Sequence, residues 1–114
     1  MKNQSESSET IGFVRWFRQK FPDIIIFHIP NEGKRSIKMN TRLKAEGLVA
    51  GMPDLCIPQW KLFVEMKKIN GKLSANQKKT IKKLELSGLS VIIGYGATDA
   101  SSKILKFVSQ PKSI

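Results

Sequence analysis

The chain is poor in several things that would each have suggested a function. It has one cysteine, Cys56, in 114 residues, so no disulfide can form within the chain. A cysteine-based zinc site is excluded with it, and a reducing cytoplasm, bacterial or that of a phage-infected host, is the expected compartment. It has one histidine, His28, which rules out a histidine-rich metal centre. Its longest unbroken apolar run is Ile24 to Phe27, far below the ~20 residues that carry a helix across a bilayer. Its first nine residues, Met1 to Glu9, hold no apolar segment of the secretory type. Acidic residues are scarce: 9 Asp and Glu stand against 20 Lys and Arg, a formal net charge of +11. Such an excess suits a polyanionic partner, nucleic acid or an anionic membrane surface. No internal repeat or long linker is visible, nor a helix-turn-helix, zinc finger or RNA-recognition motif.

What is present is enough for one domain, residues 1–114, with residues 1–8 a flexible lead-in. The length allows one modest core, and the 40% apolar content is that of a globular chain. Glu9 to Phe21 has apolar residues at helical spacing, with Ser5 or Ser8 as N-cap. Ile11, Val14, Phe17 and Phe21 are expected to face the core. Pro22 ends it. Ile24 to Ile29 is β-branched and short, the pattern of a buried strand stopped by Pro30. Asn31 to Arg35 has loop composition, and Ile37 to Glu46 can form a helix closed by Gly47. Gly51-Met-Pro is a turn into a strand, Asp54 to Ile57. A short connection at Pro58 and Gln59 leads to a second strand, Lys61 to Lys67, with Leu62, Val64 and Met66 on one face. After the Asn70-Gly71 turn, a helix runs from Ser74 to Ser87 and is capped by Gly88. A buried strand, Leu89 to Tyr95, and a helix, Thr98 to Val108 with Ile104, Leu105 and Val108 inward, complete the chain. The order α-β-α-ββ-α-β-α predicts an α/β fold with a mixed central sheet flanked by helices.

The chemistry concentrates in Gly51-Met-Pro-Asp54 and, after ten intervening residues, Glu65-Met-Lys67. Glu65 and Lys67 are two apart on a strand, so they project to one face, roughly 6.6 Å apart along it. Hairpin pairing would bring Asp54 alongside. Two hard carboxylate ligands suit Mg²⁺ or Mn²⁺. Such an ion would polarise a phosphate and lower the pKa of water, with Lys67 orienting that water or offsetting developing charge. The plain alternative is a surface ion pair at Glu65 and a turn residue at Asp54.

Gly51-x-Pro53-Asp54, Glu65-x-Lys67 and Ser74-x-x-Gln77 together resemble the PD-(D/E)xK nucleases. More narrowly they resemble the stand-alone VRR-NUC domain, from Glu9 to about Gly96. Asn31-Glu-Gly33 and Gly47-x-x-x-Gly51 also look like that family's approach to its site. The resemblance implies a restriction-endonuclease-like core and metal-dependent DNA cleavage. It implies Asp54 and Glu65 as Mg²⁺ or Mn²⁺ ligands with the Met66 carbonyl, Lys67 as the catalytic lysine, Gln77 beside the site, and Glu9 as an acid near the metal. It also implies structure-selective action on branched DNA or Holliday junctions in replication, recombination or repair, by a homodimer.

Several of these residues also have ordinary explanations. Gln77 fits a capping box with Ser74, yet shares a helical face with Ile81 and Leu84 that should meet the sheet. Glu9 suits a first helical turn regardless of function. His28 reads as a buried or substrate-adjacent structural residue. Glu32 reads as a loop residue, and Asn31 as either a loop cap or a site contact. Trp16 and Trp60 could stack on bases or fill apolar surface, with Trp60 at an exposed hairpin tip or in a subunit interface.

From Lys61 to Lys83 there are eight lysines and one acid, Glu65. Lys68, Lys72, Lys78 and Lys79, with Lys34 and Arg35 upstream, are the expected DNA contacts, and Lys38, Arg42, Lys44, Lys82 and Lys83 add to the positive field. Contacts of this kind supply affinity and salt dependence with little sequence information. The competing reading is a non-catalytic basic module, or an accessory subunit of a repair complex, in which the acidic motif is incidental.

Overall fold

The computed structural model describes residues 6–31 and 36–110. The elements are α1 (Glu6–Lys20), β1 (Phe27–His28), α2 (Ile37–Ala45), β2 (Leu55–Ile57), a 3₁₀ turn (Pro58–Trp60), β3 (Leu62–Lys67), α3 (Ala75–Leu86), β4 (Ser90–Tyr95) and α4 (Ala97–Ser109). The sheet order is β1-β2-β3-β4. β1–β2 and β2–β3 are antiparallel and β3–β4 is parallel, so the sheet is mixed, in the expected element order.

One face of the sheet makes the core. Leu55, Ile57, Leu62, Val64 and Met66 are buried against Phe13 and Phe17 of α1 and Ala100 and Ile104 of α4. Gly94 of β4 lies so close to α4 that a Cβ there would sit 2.5 Å from the Ala100 Cβ and 2.9 Å from its Cα. The opposite face carries Phe63, Glu65 and Lys67, and α3 packs there. The outer edge of β4 is covered by α4: Lys103 Nζ donates to the Ile93 carbonyl at 2.7 Å, and Asp99 accepts from the Tyr95 N–H at 2.9 Å. Covering these groups blocks strand addition at that edge.

Several sequence expectations shift here. The first helix starts at Glu6, so Glu6 to Ser8 belong to it and Ser8 is not its cap; the Ser5 expectation lies outside the described residues. The inner stripe of α1 is set by its large rings, Phe13 and Phe17. Ile11, turned about 200° from Phe13 at helical geometry, is 56% exposed. The strand expected over Ile24–Ile29 shrinks to two exposed residues, and within the run only Ile26 is buried. Side chains take the hydrogen bonds a ladder would have used. Gln59 accepts from the Ile25 N–H at 2.5 Å and donates to the Asp23 carbonyl at 3.0 Å, and Arg18 donates to the Ile26 carbonyl at 3.2 Å.

Asp54 stands just before β2, and Lys61 precedes β3 in a left-handed conformation (φ 52°) that ends the 3₁₀ turn. β4 is half-buried, as befits an edge strand. In α4 the inward residues are Ala97, Ala100, Ile104 and Phe107, while Leu105 and Val108 are 42% and 41% exposed. Trp60 is not an exposed tip: its ring packs on Phe17, Phe21 and Phe107 at 5.4, 5.0 and 6.2 Å between centroids. Trp16 joins the same cluster through Phe13 and Phe21. Both tryptophans therefore fill apolar space within the chain.

Candidate active site

The β2–β3 hairpin does what the spacing of Asp54 and Glu65 suggested. The Leu55↔Val64 pair ends the regular ladder, and the Asp54 side chain continues it: Oδ2 accepts from the Met66 N–H at 2.9 Å. In a strand the N–H and C=O of one residue share an edge. The Met66 carbonyl therefore lies on the edge facing Asp54, while Lys67, the next residue, gives its carbonyl to the Gly96 N–H at 2.8 Å on the β4 side.

Glu65 projects to the opposite face from the core and is only 2% exposed. Its Oε2 accepts from Gln77 Nε2 at 2.9 Å and lies 3.9 Å from Lys67 Nζ. Its Oε1 is buried with no hydrogen-bond partner. Buried polar atoms are rarely left in that state, and a carboxylate oxygen least of all. The Glu65 carboxyl is pushed up to about 8, first by burial and then by the negative charge of Asp54, with Lys67 opposing. Burial also raises Asp54, against the Met66 hydrogen bond, His28 and Lys67. Two carboxyl groups held together against their own repulsion, one with an orphan oxygen, form a donor set that fits a divalent cation.

The loop before Asp54 is fastened to the helix that carries Gln77. Thr80 Oγ1 donates to the Ala50 carbonyl at 2.8 Å. Gly51 has φ +81°, and a Cβ there would run into the Asn76 carbonyl oxygen and lie 2.9 Å from the Gln77 nitrogen. Only glycine allows that approach. A cleft of about 220 Å³ opens beside this junction, lined by Asn31, Gly51, Asp54, Ser74, Asn76 and Gln77 among others.

Gln77 caps α3 and also reaches Glu65. Its Oε1 accepts from the Ser74 N–H at 2.8 Å while Ser74 Oγ accepts from the Gln77 N–H at 3.1 Å, a complete capping box. Its amide nitrogen remains for Glu65.

Glu9 has a structural partner of its own. Its Oε1 accepts from the Ala97 N–H at 2.6 Å and so caps α4. The acid of α1 that acts on the carboxylate pair is Glu6, whose charge raises both Asp54 and Glu65. Sequence reasoning missed Glu6. The available signal was its place one helical turn before Glu9, at the very start of α1. Among the described residues no three His, Cys, Asp or Glu side chains converge as a ready cation cage.

Asn31 lines the cleft. His28 is exposed, not buried, and lies within electrostatic reach of Asp54. Lys38, Lys44, Lys68, Lys72, Lys78, Lys79, Lys82 and Lys83 are exposed. Arg42 is engaged with Glu46 at 3.1 Å on the surface of α2, a helix with no buried residue. Glu32, Gly33, Lys34 and Arg35 lie outside the described residues.

An α/β domain that gathers two carboxylates and a lysine at the end of a mixed sheet, on a strongly basic chain, has the architecture of a nuclease. The sequence profile of the VRR-NUC domain matches residues 4–98. The chain belongs to the VRR-NUC domain family, a family of nucleases. A solved structure described as a VRR_NUC domain protein superimposes with a TM-score of 0.78 at 27% identity, over 95% of this chain and 91% of that one. No curated protein matches the chain.

Proposed function

We propose that the protein is a Mg²⁺- or Mn²⁺-dependent DNA endonuclease, selective for branched structures, that acts in replication, recombination or repair. The observation that carries the metal-dependent reading is Glu65: a buried carboxylate with one orphan oxygen, beside Asp54 and 3.9 Å from Lys67. Asp54, Glu65 and the Met66 carbonyl would hold the ion. When bound, it would supply Lewis-acid polarisation of the scissile phosphate and an acidified water.

The chain's own groups do the remaining work. Gln77 holds the Glu65 carboxylate in one orientation by its 2.9 Å hydrogen bond. Met66 N–H does the same for Asp54. Lys67, with its side chain 13% exposed, keeps its ammonium at the rim, where it can hold a water or a phosphate oxygen and offset the charge that builds there. The exposed Lys68, Lys72, Lys78 and Lys79 flank the site and suit the phosphate backbone. The absence of any base-reading motif favours recognition by DNA shape. Cutting two strands symmetrically favours a two-fold dimer.

The test is incubation of junction, flap, nicked and linear DNA with Mg²⁺ or Mn²⁺, wild type beside Asp54→Ala and Lys67→Ala. Cleavage by wild type, strongest on branched DNA and reduced at least a hundredfold in both variants, is expected. Intact substrates with wild type, or equal cutting by the variants, would sink the proposal. Sedimentation of the protein with and without junction DNA tests the dimer.

A further inference from the structure

A second opening lies on the other side of Asp54, and the chemistry described so far does not use it. It is a groove of about 650 Å³ between α1 and the short β1 edge, within the size range of small-ligand sites. Ile11, Val14, Arg15 and Arg18 line it from one side. They follow one another at i, i+3, i+4 and i+7, a single stripe along α1. His28 and Leu55 line it from the sheet. They are register partners, so their side chains share a face, the face on which α1 packs. Leu55 directly follows Asp54, and His28 is close enough to bias the Asp54 charge. The groove therefore borders Asp54 from the α1 side of the sheet, the face opposite Glu65.

Its lining is apolar in the middle, aromatic on one wall and cationic at the rim. Among the described residues, two arginines and a histidine line it and no acidic residue does. Ile11 is 56% exposed, an unusual amount for an isoleucine on a helix that packs on the core. We propose that this groove is a nucleotide subsite: it receives the base next to the scissile phosphate, unstacked from its neighbours, between the His28 ring and the aliphatic stripe of α1, with Arg15 on the adjoining phosphate. The proposal rests on the nuclease reading for where the phosphate lies. The physics is that of single-stranded recognition, in which an aromatic or apolar platform takes the base face and an arginine takes the backbone. Charge complementarity selects a nucleic acid over a second copy of this chain, which would bring a net charge of +11 against Arg15 and Arg18. A base that leaves its stack most cheaply is one at a branch or a strand end, so the subsite gives a physical source for preference among DNA structures.

The experiment is a cycle. The cut position is mapped with wild type, and a series of substrates is made with one abasic site stepped across it. Binding of the same series is followed by fluorescence anisotropy in EDTA. For wild type, one abasic position should weaken binding or cleavage about tenfold, the stacking scale for a single base. His28→Ala and Arg15→Ala should lose that discrimination, with the intact substrate weakened to the level of the abasic one. Circular dichroism melts check that these substitutions leave the fold intact. Equal response of wild type and His28→Ala at every position overturns the proposal. So does an Ile11→Asp variant that converts a dimer to a monomer in sedimentation, since the groove would then hold a second copy. If wild type cuts nothing, the nuclease reading fails, while the anisotropy cycle still decides whether the groove holds a base.

Discussion

Gln77 and Glu65 are joined by a hydrogen bond of 2.9 Å between the first turn of α3 and the buried end of β3. The same amide closes the capping box of α3 through its other atom. One side chain thus sets the start of a helix and the orientation of a candidate metal ligand, and the two duties can be separated by substitution. Glutamate keeps the capping function, but in its ionised form it cannot donate and places a negative charge against Glu65. Gln77→Glu should leave the melting temperature of the metal-free protein nearly unchanged at pH 5, where both groups can carry protons, and lower cleavage at pH 7.5 by at least tenfold. Gln77→Ala should lower both. Melts at the two pH values, with cleavage assays alongside, check this.

Glu65 makes the metal-free protein sensitive to pH. Its carboxyl ordinarily titrates near 4.5 and here is raised to about 8 by burial, then by Asp54. Between those values the folded chain holds a proton that the unfolded chain has lost. The stability present below pH 4.5 is therefore lost progressively as pH rises through about 8, and levels off above. Glu65→Gln should flatten that slope and raise the melting temperature at pH 8.5, while abolishing cleavage. Mg²⁺ or Mn²⁺ should stabilise wild type at pH 8.5 and leave Glu65→Gln largely unmoved. Thermal melts from pH 4 to 9, with and without the ion, test both statements.

Glu6 and Glu9 lie one turn apart on α1 and have different work. Glu9 takes an otherwise orphan N–H at the start of α4, so Glu9→Ala should cost about 1 kcal/mol of stability, the usual loss on removing such a cap. Glu6 adds negative charge to the carboxylate pair. Glu6→Gln should instead reduce the affinity for Mn²⁺ severalfold and leave the melting temperature in EDTA unchanged or slightly higher. Denaturant titration and Mn²⁺ titration in parallel distinguish the two outcomes.

Gly51 is a packing requirement before it is a motif residue. A methyl group there meets backbone atoms of Asn76 and Gln77, which cannot swing aside as a side chain could. Gly51→Ala also places a Cβ at φ +81°. The substitution should destabilise the fold by about 1–3 kcal/mol and lower activity further than stability alone requires, because α3 carries Gln77 away from Glu65. Denaturant melts and cleavage at a temperature where the variant remains folded measure the two losses separately.

Much of this was legible along the chain, and the reasons are local. The alternation of Leu62, Val64 and Met66 with Phe63, Glu65 and Lys67 determined which face of β3 would be buried in the core and which would carry the charged pair. Ser74-x-x-Gln77 determined the start of α3, and the surplus of lysine pointed to a polyanion. The shared face of Glu65 and Lys67 and the cap formed by Ser74 and Gln77 follow from those short-range patterns, since a two-residue strand period and a capping box need no distant partner; the grouping of Asp54, Glu65, Lys67 and Gln77 as a candidate site rests on the family resemblance.

What only the tertiary structure decided depends on side chains from far along the sequence. Gln59 and Arg18 took the backbone groups of Ile25 and Ile26, and a β-branched run that favours a strand became mostly loop. The rings of Phe13 and Phe17 won the contest for the inner face of α1 and turned Ile11 outward. That rotation set Glu9 beneath α4 and left Glu6 in electrostatic reach of the carboxylates. Helical periodicity ranks the faces of α1 by hydrophobicity. Which face wins is decided by volume complementarity with β3 and α4, and no segment of the chain contains that information alone.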